Sequence, residues 1–205
     1  MCRELNVSRE TISIFECYIE LLKKWQKVQN LVSNNTLHEV WDRHIADSMQ
    51  TVLLYPDAKV WMDLGSGGGL PGIVLAILLK NNTESHVHMI ESNLRKVAFL
   101  RTVIRELSLK ATVHSDRADK VISDWKIRPD AISARGFAAF SLICDLCEPL
   151  ISKGSVGVFH KGKDFIQEFD KASLYWSLDL IQETSMIDKE GVMIILKGLT
   201  PRPTV

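Results

Sequence analysis

The sequence predicts an α/β fold: a helical segment over residues 1–55, then a Rossmann-like, mostly parallel seven-stranded sheet over 56–205 with an antiparallel last strand. Three observations predict it. Before Pro56-Asp57 the apolar residues recur at helical spacing, and after it short apolar runs alternate with helical stretches. A glycine-dense turn follows the first of those runs. The last two runs are separated only by Asp188-Lys189-Glu190-Gly191, too short a connection for a crossover helix, so they pair antiparallel.

In the N-terminal segment, Ile12, Phe15, Ile19, Leu22 and Trp25 follow one another at spacings of three and four, with Ser8 or Thr11 available as the cap. Leu37, Val40, Trp41, Ile45 and Ser48 mark a second helix. Trp25, Trp41 and Trp61 are expected in the core. Candidate strands are 59–64, 86–91, 111–114, 130–134, 156–160, 178–183 and 192–196; candidate helices are 72–80, 94–107, 137–151 and 165–174. At 205 residues the chain suits one domain, with the helical segment as its surplus.

Composition narrows the class. With 46% hydrophobic and 24% charged residues, disorder and low-complexity architectures are excluded. The start Met1-Cys2-Arg3-Glu4-Leu5-Asn6 has no signal-like apolar region, and the longest apolar run, 73–79, falls short of the ~20 residues a membrane span needs. A cytoplasmic protein is expected, and Cys2, Cys17, Cys144 and Cys147 are read as reduced thiols. Cys144-Asp145-Leu146-Cys147 sits in an apolar helical stretch, which favours a buried structural pair over a redox or metal motif. His86 and His88 share one side of a strand, with no third ligand at metal spacing.

Five glycines fall within the eight residues 65–72, after a strand and before a helix that Pro71 can open. Such a loop lets backbone amides approach a ligand where a Cβ would block them. Gly67, Gly69 and Gly72 fit G-x-G-x-x-G, the dinucleotide fingerprint, with Glu91 at the end of the second strand to hold ribose hydroxyls. Asp63, Gly65, Gly67 and Gly69 equally fit the acid-x-G-x-G-x-G pattern of S-adenosyl-L-methionine (AdoMet) enzymes. A nicotinamide oxidoreductase and a non-catalytic nucleotide-binding module therefore stand beside a methyltransferase. Two features favour methyl transfer: the acids of Ser115-Asp116-Arg117-Ala118-Asp119 after the third strand, suited to an adenine amine, and the helix-free closing strand pair of class I methyltransferases.

The target is narrowed by what is needed to activate it. There is no Pro-Cys for a cytosine C5 target, and the fourth strand ends in Ser133-Ala134-Arg135-Gly136-Phe137, not in the Asn/Asp-Pro-Pro-aromatic run of amine methyltransferases. A ring nitrogen such as guanine N7 has an exposed lone pair and no proton to lose, so it is compatible without a general base. Arg135 is placed to hold the methionine carboxylate or the guanine edge. Arg43 and Asp47, at i and i+4, read as an ion pair beside a satisfied His44.

The ordered segments Trp25 to Leu31, Arg43-His44-Ile45-Ala46-Asp47-Ser48, Asp63 to Gly72, Arg95-Lys96 with Phe99-Leu100, Ser133 to Ala138 and Lys161-Gly162 resemble the bacterial small-subunit ribosomal RNA methyltransferase G family, also called glucose-inhibited division protein B. The resemblance implies AdoMet-dependent methylation of guanine N7 in a 16S rRNA loop near the decoding centre, on a class I methyltransferase fold with a helical N-terminal segment. It places cofactor contacts on Gly65, Leu70, Glu91, Ser92, Asn93, Ala118, Asp119 and Arg135, beside Gly67 of the loop. One departure is that the family usually reads Ser-Arg-Ala-Phe-Ala where this chain has Arg135 as its only arginine.

The net charge of +0 hides a segregation. Residues 94–110 carry Arg95, Lys96, Arg101, Arg105 and Lys110 against Glu106, whereas 164–190 carry seven acids against Lys171 and Lys189. With a 16S rRNA or small-subunit partner, Arg95, Lys96, Arg117 and Lys161 are candidate RNA contacts and binding is expected to be salt-sensitive. A monomer without metal or membrane attachment is expected.

Overall fold

The computed structural model describes residues 7–203, so Cys2 lies outside the described residues. Its strands are β1 (Val60–Leu64), β2 (His86–Ile90), β3 (Ala111–His114), β4 (Ala131–Arg135), β5 (Val156–Lys161), β6 (Trp176–Thr184) and β7 (Val192–Pro201). They form one sheet in the order β3-β2-β1-β4-β5-β7-β6. β1 to β5 pair parallel, and β7 runs antiparallel to both β5 and β6. Strand order reverses between β1 and β4, which opens a crevice at their carboxyl ends; ligands of open α/β sheets bind there.

Helices α1 (Arg9–Gln26), α2 (Asp47–Leu54), α3 (Gly72–Leu78) and α4 (Leu94–Glu106) cover one face, and α5 (Ala118–Ser123), α6 (Phe140–Ile151) and α7 (Phe165–Ser173) the other. Strand alternation divides the core between them: Trp61 points to the first face, Met62 and Leu64 to the second, all fully buried. The N-terminal helices belong to the first core through Phe15, Leu22, Ile45 and Met49, each 0% exposed. Each such side chain contributes roughly 2 kcal/mol of burial, enough to fix this segment on the sheet. As expected of core tryptophans, Trp41 meets Phe15 edge to face and Trp25 leans on Phe99. Cys144 and Cys147 are buried on α6, and burial pushes the Cys144 thiol up to about 12, so the pair is inert packing.

Beyond shifted ends, such as β7 running on from 196 to Pro201 and α6 starting at Phe140 where 137 was expected, the expected elements differ from the observed ones in three places. Ser8 caps α1 as anticipated, accepting from the Thr11 amide at 3.2 Å, but the buried stripe is centred on Tyr18 and Gln26 as well as Phe15 and Leu22. Those two polar residues have specific partners: Gln26 binds the Leu31 and Val32 amides, the Val32 carbonyl and Asn34, and so shapes the turn after α1. The expected second helix is three pieces, a 3-10 turn (Asn34–Glu39), a π turn (Trp41–Ala46) and α2. Finally, α5 is too short, at six residues, to show periodicity.

The third histidine absent from the sequence pattern is His114. The β2–β3 register puts Ile90 opposite His114 and brings His88 Nδ1 within 3.1 Å of His114 Nε2, with His86 beside His88 and Trp125 packed across both His88 and His114. No group of three His, Cys, Asp or Glu side chains among the described residues is placed to hold a metal ion. Burial, then repulsion from His86 and His114, lowers the His88 pKa to about 4. The native state therefore excludes a proton that the unfolded chain accepts near pH 6.5, so this row's contribution is complete above that pH and is lost as pH falls towards 4. His88→Phe is expected to flatten the acid limb of stability between pH 6.5 and 4 in urea unfolding; an unchanged limb would refute this origin.

Candidate active site

The glycine loop is held from beneath by a buried acid. Asp63, 0% exposed at the end of β1, accepts from the Gly72 amide at 3.2 Å and from Ser133 Oγ at 2.8 Å, tying α3 and β4 to the loop. Burial pushes its carboxyl up to about 6, partly offset by these hydrogen bonds. From the side, Glu91 accepts from the Gly67 amide at 2.9 Å and, with its other oxygen, from the Asn93 amide at 2.7 Å. From above, the buried Tyr18 hydroxyl donates to the Gly68 carbonyl, and a Cβ on Gly68 would stand 2.9 Å from the Leu31 carbonyl oxygen. The helical segment thus touches the loop so closely that only glycine fits.

Two adjoining cavities open over this loop. The first, ≈ 220 Å³, is lined by Ile90, Glu91, Ser92, Asp116, Ala118 and Phe137. The second, ≈ 230 Å³, is lined by Leu31, Val32, His44, Gly67, Gly68, Leu70 and Arg135. Both share Gly65, Lys96 and Gly136. An elongated ligand with a nucleoside at one end and a zwitterion at the other fits this pair: carboxylates of Glu91 and Asp116 face hydroxyl and amine donors, and the cations of Lys96 and Arg135 face a carboxylate.

Of the residues expected from the sequence, Gly65, Glu91, Ser92 and Ala118 line the first cavity, and Gly65, Gly67, Leu70 and Arg135 the second. Asn93 lies outside both and caps α4, accepting from the Arg95 and Lys96 amides. Asp119 also lies outside, exposed and paired with Arg117 at 3.1 Å; the acid that lines the cavity is Asp116, three residues earlier. Lys96 lines the cofactor cavities although its position on a basic helix suggested RNA. Phe137, Leu31 and His44 lie in segments that carried the family resemblance but were not read as cofactor contacts, because their place depends on which segments the fold brings over the loop.

Arg135 is not a surface arginine. Its side chain is 22% exposed and its Nε pairs with Asp47 Oδ2 at 3.2 Å. Nη2 donates to the Arg43 carbonyl and to His44 Nδ1, each at 2.9 Å, and Nη1 reaches Ser48 Oγ at 3.5 Å. Since Arg135 can only donate, His44 Nδ1 is the acceptor and Nε2 carries the proton that goes to Thr36 Oγ1 at 2.8 Å. Burial, then Arg135, lowers the His44 pKa to about 4, so the ring stays neutral.

The expected Arg43–Asp47 ion pair is overturned. The π turn ends at Ala46 and carries one extra residue per turn, so Arg43 faces Asp188, at 3.7 Å, while Asp47 turns inward to Arg135 and His160. Burial alone would raise the Asp47 pKa; the His160 hydrogen bond, the His160 and Arg135 charges and Ser185 outweigh it and lower it. Beyond Arg135 a third cavity of ≈ 240 Å³ opens, bounded by Asp47, His160, Lys161, Ser185, Asp188 and Met193. Lys161 is corrected as an RNA contact: its side chain, 8% exposed, pairs with Glu168 and donates to the Ala138 carbonyl at 2.9 Å. A lysine so committed braces the end of β5 and is not free to meet a phosphate.

A paired cavity over a glycine loop, at the switch point of a sheet closed by an antiparallel β7, defines a class I AdoMet-dependent methyltransferase. The chain belongs to the GidB family, rRNA small subunit methyltransferase G, whose model matches residues 11–195. It is 41% identical over 201 residues to the ribosomal RNA small subunit methyltransferase G of Rhizobium meliloti (strain 1021), covering 97% of this chain and 94% of that one. It is 41% identical over 189 residues to the Bartonella henselae protein of the same name, covering 92% and 87%. Among solved structures, an O-methyltransferase from Bacillus cereus in complex with SAH has the same fold, with a TM-score of 0.61 at 14% identity, covering 88% and 90%. The glycine loop is thus an AdoMet loop, and the nicotinamide reading falls. Among the described residues no helix is long and apolar enough to cross a membrane.

Proposed function

We propose that this AdoMet-dependent rRNA methyltransferase modifies the N7 of a guanosine in a 16S rRNA loop near the decoding centre, as a single domain (1–55 helical, 56–205 AdoMet-binding) and a cytoplasmic monomer. The observation that supports the choice of atom is the state of three titratable groups at the second and third cavities, His44, His160 and Asp47. His44 is locked between Arg135 and Thr36, and His160 between Asp47 and Thr51. Asp47 accepts from Arg135, Gln50 and Ser185. Groups so engaged position a substrate; they suit a nucleophile that has no proton to surrender.

Bound AdoMet supplies an electrophilic methyl group on a sulfonium. Glu91, Asp116 and Ser92 would hold the nucleoside end in the cavity that Ala118 also lines, and Leu70 would flank the methionine end in the adjoining one. Lys96 would hold the carboxylate end, with the positive charge of Arg135 beside it. Arg135 stands at the boundary with the third cavity and orients what enters there, so the chain contributes positioning and exclusion of water. Exposed Arg95, at the start of α4, and Arg117, before α5, supply phosphate contacts around the mouth.

Methyl incorporation from labelled AdoMet into small subunits lacking the modification, followed by mass spectrometry of the product nucleoside, tests the reading. A 7-methylguanosine product is expected, and methyl on another atom or no transfer would overturn it. Salt dependence separates the lysine and arginine roles. Arg95→Ala is expected to reduce the slope of log K against log salt for RNA by about 1. Lys161→Ala should leave that slope unchanged and lower stability, because Glu168 loses its partner.

A further inference from the structure

We propose that the third cavity is the base pocket and that Asp188 is the residue that selects guanine, by accepting from its N1–H and 2-amino group. The inference rests on the guanine-N7 reading above. The cavity adjoins the cofactor site through Arg135 and Gly136, which line both, and at ≈ 240 Å³ it has room for one nucleobase. Its floor near the closing hairpin includes Val192 and Met193, an apolar surface for a ring.

The charges in this cavity disfavour a phosphate and favour a group rich in N–H donors. The two carboxylates are Asp47 and Asp188, and its lysine is neutralised by Glu168. Asp47 is 11% exposed at its side chain and its oxygens are occupied by Arg135, His160, Gln50 and Ser185. Asp188 is the other case. Its carboxylate is 42% exposed, with Oδ1 accepting from the Glu190 amide at 3.1 Å and Oδ2 only loosely paired with Arg43 at 3.7 Å. A carboxylate has about four lone-pair sites, so this one retains acceptor capacity.

An acceptor-only group selects bases by the donors they offer. Among the four RNA bases only guanine presents two adjacent N–H groups on one edge, matching the two oxygens of a carboxylate. Arg135, which also lines this pocket, has a donor to spare, because Nη1 makes a single contact, at 3.5 Å. Guanine O6 lies between N1 and N7 on the ring. A base whose N1 and 2-amino group meet Asp188 and whose O6 meets Arg135 therefore turns N7 towards the cofactor cavities. The acidic hairpin, which opposes RNA backbone binding, acquires a role as the reader of the base.

The test is the penalty for inosine, which lacks the 2-amino group. Small subunits are assembled with semisynthetic 16S RNA carrying guanosine or inosine at the methylated position, and kcat/KM is measured for both. The wild type is expected to prefer guanosine about tenfold or more, as for loss of a hydrogen bond to a charged group. Asp188→Asn keeps the oxygen that caps the hairpin but offers donors to donors, and is expected to lower guanosine turnover and bring the ratio near one. Asp188→Ala should do the same. Unchanged AdoMet affinity and circular dichroism establish that the variants are folded. An undiminished inosine penalty in both variants, or no penalty in the wild type, overturns the proposal while the 7-methyl product stands; a product other than 7-methylguanosine overturns the underlying reading instead.

Discussion

Arg135→Ala is expected to lower turnover by about 100-fold or more and to destabilise the protein by about 3 kcal/mol. The first figure is the order of loss when a positioning group moves reacting atoms by about an ångström. The second is the lower end for breaking a buried ion pair, because Asp47, 11% exposed, retains His160, Gln50 and Ser185 when its arginine is gone. Urea unfolding and methyl incorporation read the two effects separately. Arg135→Lys keeps the charge but not the planar fork that reaches Asp47, His44 and the Arg43 carbonyl together. It is expected to recover stability more than rate. If Arg135→Ala left both AdoMet affinity and turnover intact, the role assigned here would be wrong.

Gly65→Ala is expected to weaken AdoMet binding by roughly 30-fold, equivalent to about 2 kcal/mol. Gly65 has φ +66°, a left-handed conformation that costs an alanine about 1–2 kcal/mol. An added Cβ would also stand 2.3 Å from Phe137 Cδ2, so the ring must shift, and it lines the first cavity. Calorimetry with AdoMet and S-adenosylhomocysteine measures the loss. The Gly65→Ala, Phe137→Ala double variant should regain part of it, since it removes the clash and leaves only the backbone strain; equal losses in single and double variants would rule out the ring as the cause.

The sheet was legible because alternation within a strand and punctuation between strands are local properties. Asp63, Gly65 and Glu91 were legible for the same reason: a carboxylate at a strand end and glycines after it are features of one short segment. What escaped depends on distant parts of the chain. Tyr18 stood outside the apolar stripe read from the spacing, yet it is buried and its hydroxyl meets Gly68, fifty residues on. Asp47 and Arg43 were paired by helical spacing, and that rule fails where the helix is not α. Asp119 and Asp116 were separable only by knowing which side of the turn before α5 faces the crevice. Lys161, in a motif beside the site, invited an RNA role that its Glu168 partner, on α7, takes away.

The π turn at Trp41–Ala46 also makes the protein vulnerable to a change of length where it tolerates changes of composition. Asp42 is exposed and no hydrogen bond or ion pair of its side chain joins it to the site. Substituting it should matter little. Deleting it would let the turn tighten to 3.6 residues, so that five residues at about 100° each span roughly the angle that six span now; Asp47 then keeps its direction, while Arg43 and His44, inside the turn, rotate relative to it. The extra residue sets the angle between His44 and Asp47, which both hold Arg135, so a frame-preserving loss of one surface residue would loosen that grip without altering any side chain in the site.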